Sequence, residues 1–445
     1  MTLESGQPGD AERLSSDELR DAWMLMTPEE RADGLMMLGR RESEDFFLNI
    51  GSHEQHEVLL GLPLEERRSW MRLMAPDDAA DLLQAGPIEH RVPLLALLDE
   101  PTRHEVSGLL AYAEDDAGGL MNPRFARVRP DMSVDEAIGY LRKQAREQLE
   151  MLRYLYVLDE QQHLLGVVSL RNLFIARPEQ TVRDLMATEP VSVRDDADQE
   201  AVSLIFSQRG LAALPVVDAE QRVVGIVTMD DIVDVMQEEA TEDIQKYGGM
   251  EALELPYLGT SFFTMIKKRG GWLAVLFLGE LLTATAMAHF EDEIAKAVVL
   301  AMFVPLIISS GGNSGSQAST LVIRAMALGE VKLRDWWRVA GREVAAGLTL
   351  GMLLGSIGFL RILIWQSFSP IYGEHYVLIA ATVFASLVGV VLFGTVAGSL
   401  LPFALRRLGF DPASASAPFV ATLVDVSGLV IYFTVASVIL GGTLL

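Results

Sequence analysis

Cysteine is absent from the 445 residues. That excludes a disulfide scaffold, thiolate metal sites and cysteine nucleophiles. Histidine is scarce, and His53, His56, His90 and His104 lack metal-ligand spacing on one helix face. No glycine-rich phosphate loop and no His-Glu-x-x-His occurs, so no enzyme chemistry is expected. No apolar run follows Met1, so a cleaved leader is not expected and the amino-terminal end is expected in the cytosol. Positive charge is also short, with 36 Lys and Arg against 61 Asp and Glu, a net charge of -25. An acidic surface repels nucleic acid, so no nucleic-acid partner is expected, and it attracts cations.

The acidity is confined to one part of the chain. Residues 1–269 hold 51 acids and 27 bases, a net of -24, whereas 270–445 hold 10 acids and 9 bases, a net of -1. The second part carries five apolar stretches, roughly 271–290, 294–323, 339–365, 376–403 and 418–441. Each is long enough to cross a hydrocarbon core of about 30 Å. Lys267–Arg269, then Arg324, Lys332, Arg334 and Arg338, then Arg406 and Arg407 fall on alternate loops. Positive loops stay in the cytosol, so five crossings of the cell (inner) membrane put the carboxy terminus outside.

Two features of these stretches are costly in lipid. Gly311-Gly312-Asn313-Ser314-Gly315-Ser316-Gln317 lies inside the second, and glycines there predict a break in the helix that lines a wet cavity. A small-residue packing surface is the alternative. Asp425 lies seven residues after Pro418, about 10 Å along a helix, and is read as the single carboxylate placed deep in the spans. A buried carboxylate there costs several kcal/mol unless it is hydrated, paired or bound to a cation. We read it as an ion site, the alternative being a protonated or internally paired structural aspartate. One aspartate per chain is thin for a dication, so a two-fold homodimer in the lipid bilayer is expected to supply two. Oxygen ligands that read a hydrated ion suit Mg2+ and argue against a soft metal.

Residues 120–240 contain a repeat. Asp159, Gly166, Ser169 and Asn172 recur as Asp218, Gly225, Thr228 and Asp231 at a constant offset of 59, and each copy opens with Leu-Met (Leu120-Met121, Leu185-Met186). Each copy reads as helix, strand, turn, strand and helix. This resembles a tandem pair of CBS modules, which in other proteins often bind adenine nucleotides at a Ser/Thr-x-x-Asp position. Thr228 and Asp231 keep that pattern; Ser169 is followed by Asn172 instead of the acid. ATP at the pair and a purely structural pair both stay open. Residues 10–118 are polar and rich in helix starts, at Thr27-Pro-Glu-Glu, Ser52-His-Glu-Gln and Pro76-Asp-Asp, and predict a small superhelical domain of short helices. Between the repeat and the membrane, Asp231, Asp234, Glu238 and Glu242 are spaced to form one acidic stripe on a helix. A solvated charged helix and a cation-controlled connector are the two readings of it.

The order of these parts resembles the MgtE family of magnesium transporters over essentially the whole chain. The resemblance rests on Glu114-Asp-Asp-Ala-Gly-Gly-Leu-Met121, Glu239-Ala-Thr-Glu-Asp243, the Gly311–Gln317 run and Pro418–Gly428. It implies a multidomain membrane protein: a helical superhelical domain (10–118), a tandem α/β CBS pair (119–240), an acidic connecting, or plug, helix (230–262) and a five-helix transmembrane domain (263–445). It implies a homodimeric Mg2+ channel, closed when cytosolic Mg2+ binds the acidic domains. Carried over by position, Asp425 matches the pore aspartate, with Ala421, Gly312 and Asn313 contributing oxygens. Asp231, Asp234, Glu238, Glu239, Glu242 and Asp243 match the sensing face of the connecting helix, Asp198 and Glu200 acids of the second CBS module, and Asp45 and Asp77 their partners in the helical domain. Gly210 and Ala417 stand where some relatives carry polar ligands. A carrier of Co2+, Ni2+ or Mn2+, or a CBS-regulated sensor that transports nothing, are the alternatives.

Overall fold

The computed structural model describes residues 14–145, 149–253 and 255–444, so the expected limits at residues 10 and 445 lie outside the described residues. The chain divides into two compact units, Met1–Met236 and Gln237–Leu445.

The first unit begins with short helices: α1 (Ser16–Ala22), α2 (Pro28–Met37), α3 (Arg40–Leu48), α4 (Ser52–Gly61), α5 (Leu64–Met71), α6 (Pro76–Gln84), α7 (Ile88–Leu95) and α8 (Glu100–Leu109). Helices this short are marginal alone and are held by packing. Leu35, Phe47, Leu59 and Leu82 supply that core and are fully buried. Thr27 caps α2, accepting from the Glu30 amide while the Glu30 carboxylate accepts from the Thr27 amide. The other two expected starts differ in detail: Gly51 caps α4, and Ala75 precedes Pro76 with no side-chain cap. Glycine and alanine carry no oxygen for the job.

After α9 (Ala117–Leu120) come β1 (Phe125–Val128), α10 (Val134–Gln144), β2 (Met151–Leu158), β3 (Leu164–Ser169) and α11 (Leu170–Ile175). The second copy follows with α12 (Val182–Leu185), β4 (Val193–Arg194), α13 (Gln199–Arg209), β5 (Ala213–Val217), β6 (Val223–Thr228) and α14 (Met229–Tyr247). Each copy forms a three-stranded sheet with its first pair parallel and its second antiparallel. The repeat extends to the turns. Gln162 (φ 70°) and Gln221 (φ 62°) are the non-glycine residues in the left-handed region among those described. In each turn an aspartate accepts from two amides ahead of it, Asp159 from Gln161 and His163, and Asp218 from Glu220 and Arg222. Gly166 is covered by Met186 and Gly225 by Met121, so each copy's glycine is closed by the Leu-Met of the other. A Cβ on Gly225 would lie 2.7 Å from the Met121 side chain.

In the second unit α15 (Phe262–His289) is followed by α16 (Glu291–Lys296), α17 (Val298–Ala301), α18 (Val304–Ala327), α19 (Trp336–Phe368), α20 (Tyr376–Arg407) and α21 (Ala417–Leu440). Among the described residues five helical segments are long and apolar enough to span a membrane. Lipid gives no hydrophobic drive between helices, so close backbone approach at small residues does the packing. Gly347, Gly351, Gly355 and Gly358 line the face of α19 against α20. Gly394 and Gly398 of α20 meet Gly311 and Gly315 of α18, with Cβ atoms that would fall 2.3 and 2.1 Å from the facing carbonyls.

This corrects the expected break. α18 runs unbroken from Val304 to Ala327 through Gly311–Gln317, and the helical path is interrupted earlier, at Met302 and Phe303. Gly311 and Gly315 are there to let α20 approach, so the glycines serve packing and the backbone carbonyls of Gly312 and Asn313 stay within the helical ladder.

Candidate cation pathway and regulatory carboxylates

Within the second unit, α18, α21 and α15 line an open cavity of about 360 Å³. α18 contributes Pro305, Ile308, Ser309, Gly312, Asn313 and Ser316; α21 contributes Ala421 and Asp425, one helical turn apart. All four pathway residues expected from the sequence therefore line one space. A dication with six waters needs about 180 Å³ at about 30 Å³ per water, so a hydrated ion fits. The Asn313 amide nitrogen donates to Ser309 Oγ (3.4 Å), and Ser316 Oγ donates to the Ala417 carbonyl (3.3 Å).

The third wall was not expected. α15 brings Glu280 and Thr283 into the cavity, where Glu280 shares the lining with Asp425. Asp425 is thus not the single deep acid. The signal was present in the sequence: Glu280 is the one charged residue between Arg269 and His289. α15 is seated on α21 by Gly279 against Thr422 and by Trp272, whose indole N–H donates to Ser416 Oγ (3.2 Å).

At the other end of this unit, the last turn of α14 is tied to the loop between α20 and α21. Lys246 Nζ donates to Asp411 Oδ2 (2.7 Å) and also pairs with Glu242. Burial pulls the ammonium down, but these two carboxylates outweigh it and hold its pKa above the usual lysine value. Asp243 beside them is pushed up by burial and by Asp411. Tyr247 Oη donates to the Ser316 carbonyl (2.8 Å) and contacts Thr320 Oγ1, which reaches the same carbonyl. The connecting helix therefore ends on the α18 residue that also lines the cavity.

In the first unit, Asp77 on α6 is buried and its pKa is raised well above the ordinary aspartate value, first by burial and then by Asp78 and Asp231. Asn122 bridges it, its amide donating to Asp77 Oδ1 (3.0 Å) and to Glu150 Oε2 (2.8 Å). Asp231, at the start of α14, is raised to about 7; burial drives the shift, Asp230 and Asp78 add to it, and hydrogen bonds from Thr228 oppose it. The Thr228 hydroxyl donates to Asp231 Oδ2 at 2.6 Å. Asp77 and Asp231 lie within electrostatic reach of each other, with Asp78, Asp230 and Glu150 as acidic neighbours absent from the expected set. Asp45, Asp198, Glu200, Asp234 and Glu238 are exposed, and Glu239 is half-buried. Asp198 caps α13, accepting from the Glu200 amide. Glu242 and Asp243 face Lys246 and Asp411 instead. Among the described residues no three His, Asp or Glu side chains are arranged as a ready metal site. Ser169 caps α11, accepting from the Asn172 amide (3.1 Å).

Comparison with known proteins matches these parts in order. The family of the intracellular N domain of MgtE matches residues 14–115, CBS domains match 117–179 and 182–238, and the MgtE family described as a divalent cation transporter matches 304–435. The magnesium transporter MgtE of Thermus thermophilus is 43% identical over 82% of this chain and 79% of its own length. The chain belongs to the MgtE family. The Bacillus subtilis MgtE is 32% identical over 82% of this chain and 79% of its own length. A crystal structure of the cytosolic domain of an Mg2+ channel MgtE in complex with ATP is 39% identical, with a TM-score of 0.47, covering 50% of this chain and 91% of that one. As an MgtE-family member the chain is a multi-pass membrane protein with an N domain, a CBS pair and a helical membrane region.

Proposed function

We propose that this chain conducts Mg2+ across a bilayer as a channel and that cytosolic Mg2+ closes it. The observation that carries the proposal is Asp425, an acid in a span, facing a cavity large enough for a hydrated dication, whose polar lining also includes Glu280 and the hydroxyl and amide side chains of Thr283, Ser309, Asn313 and Ser316. An ionised group among apolar helices marks an ion path unless it is neutralised, and hard oxygen donors with room for water suit Mg2+. The curated relatives named magnesium transporters support the cargo. Two copies related by a two-fold axis would place two such acids about one axis, with the first unit and the loops bearing Arg324, Arg334 and Arg406 in the cytosol and the carboxy terminus outside.

Closure follows from the regulatory acids. Asp77 and Asp231 hold negative charge in a partly dry setting at neutral pH only at a cost, and a bound dication offsets that cost, favouring the arrangement in which they are close. The end of α14 on Ser316 offers the mechanical link to the cavity. ATP at Thr228 and Asp231 competes with this use of Asp231, because one carboxylate cannot serve a ribose and a cation site unchanged.

Uptake of Mg2+ into liposomes holding a Mg2+-sensitive dye tests the reading. Wild-type protein gives flux that falls as Mg2+ on the cytosolic face rises, and Asp425→Ala gives none. Flux by Asp425→Ala at the wild-type rate would refute it.

A further inference from the structure

The first turns of α19 differ in charge from the rest of the chain. Residues 332–342 hold Lys332, Arg334, Arg338 and Arg342, in a protein with 36 bases against 61 acids. Their acidic neighbours are Glu330 at the start of the loop, Asp335, and Glu343, which is half-buried. Asp335 reaches the Arg338 guanidinium only at 3.7 Å. Arg334 and Arg342 are exposed and form no ion pair among the described residues. Arg338 and Arg342 lie one turn apart on one face. Arg342 is about two and a half turns from Gly351, so these arginines project from the side of α19 away from the glycine row that packs on α20. Leu353, Ile357, Leu360 and Ile364 continue that side further along, all exposed. An apolar, exposed surface on a membrane helix faces lipid.

Depth follows from the helix rise. After Glu343 the next charged residue is Arg361, about 28 Å from Arg342 at about 1.5 Å per residue. A hydrocarbon core is about 30 Å thick, so Arg342 and Arg361 mark its two boundaries. Arg338 lies about 6 Å further out than Arg342, within a headgroup layer about 5–7 Å deep. Trp336 and Trp337 beside it are more than half exposed, and such amphipathic rings settle at the membrane interface. The Arg338 guanidinium carbon lies 5.3 Å over the Trp337 ring. Stacking holds a guanidinium by its face and leaves its N–H edge for an acceptor. A phosphate is such an acceptor, taking two parallel N–H bonds.

We propose that Arg338 and Arg342, with Trp337 as a platform, bind the phosphate of an anionic phospholipid in the leaflet on the side where α14 ends. Lys332 and Arg334 add positive charge at the same level and favour a lipid of net negative charge over a zwitterionic one. The far end of α19 is not equivalent. Arg361 stacks over Trp365 at 5.8 Å, but no second basic residue lies within two turns of it.

The test titrates the full-length protein in detergent with phosphatidylglycerol, with phosphatidylcholine and with inorganic phosphate. Native mass spectrometry counts bound lipid, and the unfolding temperature is followed alongside. Wild type should bind phosphatidylglycerol and unfold at a higher temperature with it, with little response to phosphatidylcholine. Each basic group near an anionic headgroup contributes about fivefold in affinity, so Arg338→Gln with Arg342→Gln should weaken phosphatidylglycerol binding about 25-fold. Trp337→Leu keeps both charges and removes the platform, so it should weaken binding several-fold. Equal binding of the two lipids by wild type, or wild-type affinity in the double variant, overturns the proposal. So does an equal loss in Lys267→Gln with Arg269→Gln, which removes two charges elsewhere on the same side. Inorganic phosphate that reproduces the stabilisation in full would make free phosphate the occupant and refute a lipid site. Should the double variant fail to fold, Arg338→Gln alone decides, with about a fivefold loss expected and an unchanged affinity refuting the proposal.

Discussion

Replacing Asp231 by Asn removes one charge from the partly dry cluster around Asp77, and the structure sets the size of the effect. Asp231 is raised from the ordinary aspartate value of 3.8 to about 7. At about 1.4 kcal/mol per tenfold change, holding it ionised costs the folded first unit at most about 4 kcal/mol. The sign follows from linkage. The folded-state pKa lies above the unfolded one, so the stability this group allows is fully present below about pH 3.8, declines as pH rises, and is lost above about pH 7. Asparagine keeps an oxygen to accept from the Thr228 hydroxyl and amide, so the substitution changes charge with little change in contacts. Limited proteolysis of the detergent-solubilised full-length protein reads local opening of the cytosolic part. The wild type should become more susceptible between about pH 6 and about pH 8 and regain protection when Mg2+ is added. Asp231→Asn should be protected at both pH values, with a smaller gain from Mg2+. If the variant keeps the wild-type pH slope and the full Mg2+ gain, Asp231 neither pays this cost nor senses the cation.

Other outcomes follow from single contacts. Gly398→Ala forces a Cβ against the Gly315 carbonyl, a backbone atom that cannot swing away; it should destabilise the membrane unit by about 1–3 kcal/mol, seen as a lower unfolding temperature in detergent. Tyr247→Phe removes the phenol bond to Ser316, worth about 0.5–1.5 kcal/mol, and should shift the Mg2+ concentration that halves the current by a few-fold, with unchanged open-channel conductance. Lys246→Ala leaves Glu242, Asp243 and Asp411 without their shared cation. It should loosen the end of α14, read as faster hydrogen exchange over residues 237–247, and this loosening should be partly reversed by Mg2+.

Much of the architecture was legible because its signals are local. Long apolar stretches give spans, the offset of 59 gives the two CBS copies, and Thr27 with Glu30 gives a helix start. What the sequence could not carry was which faces meet. The Gly311–Gln317 run has the composition of a wet, broken segment, yet it is a straight helix because Gly394 and Gly398, about 80 residues on, stand opposite two of its glycines. Asp77 and Asp231 come within electrostatic reach of each other only through the tertiary fold, from positions more than 150 residues apart in the sequence. The acidic stripe looked uniform from spacing alone; its upper end is buried among other acids while its lower end is neutralised by Lys246. Glu280 stands out in the sequence as the one charged residue between Arg269 and His289, but that it shares a cavity with Asp425 depends on the packing of α15 on α21.

The crossed closure of the repeat, Met121 over Gly225 and Met186 over Gly166, also has a consequence for how the CBS pair folds. Neither copy has a finished interior until its twin is folded, so they should melt as one transition, and a strain imposed on either is felt in both. Deleting one copy would leave the other with an open seam rather than a smaller working module. A pair wired in this way answers as one body, whichever of its two halves is perturbed.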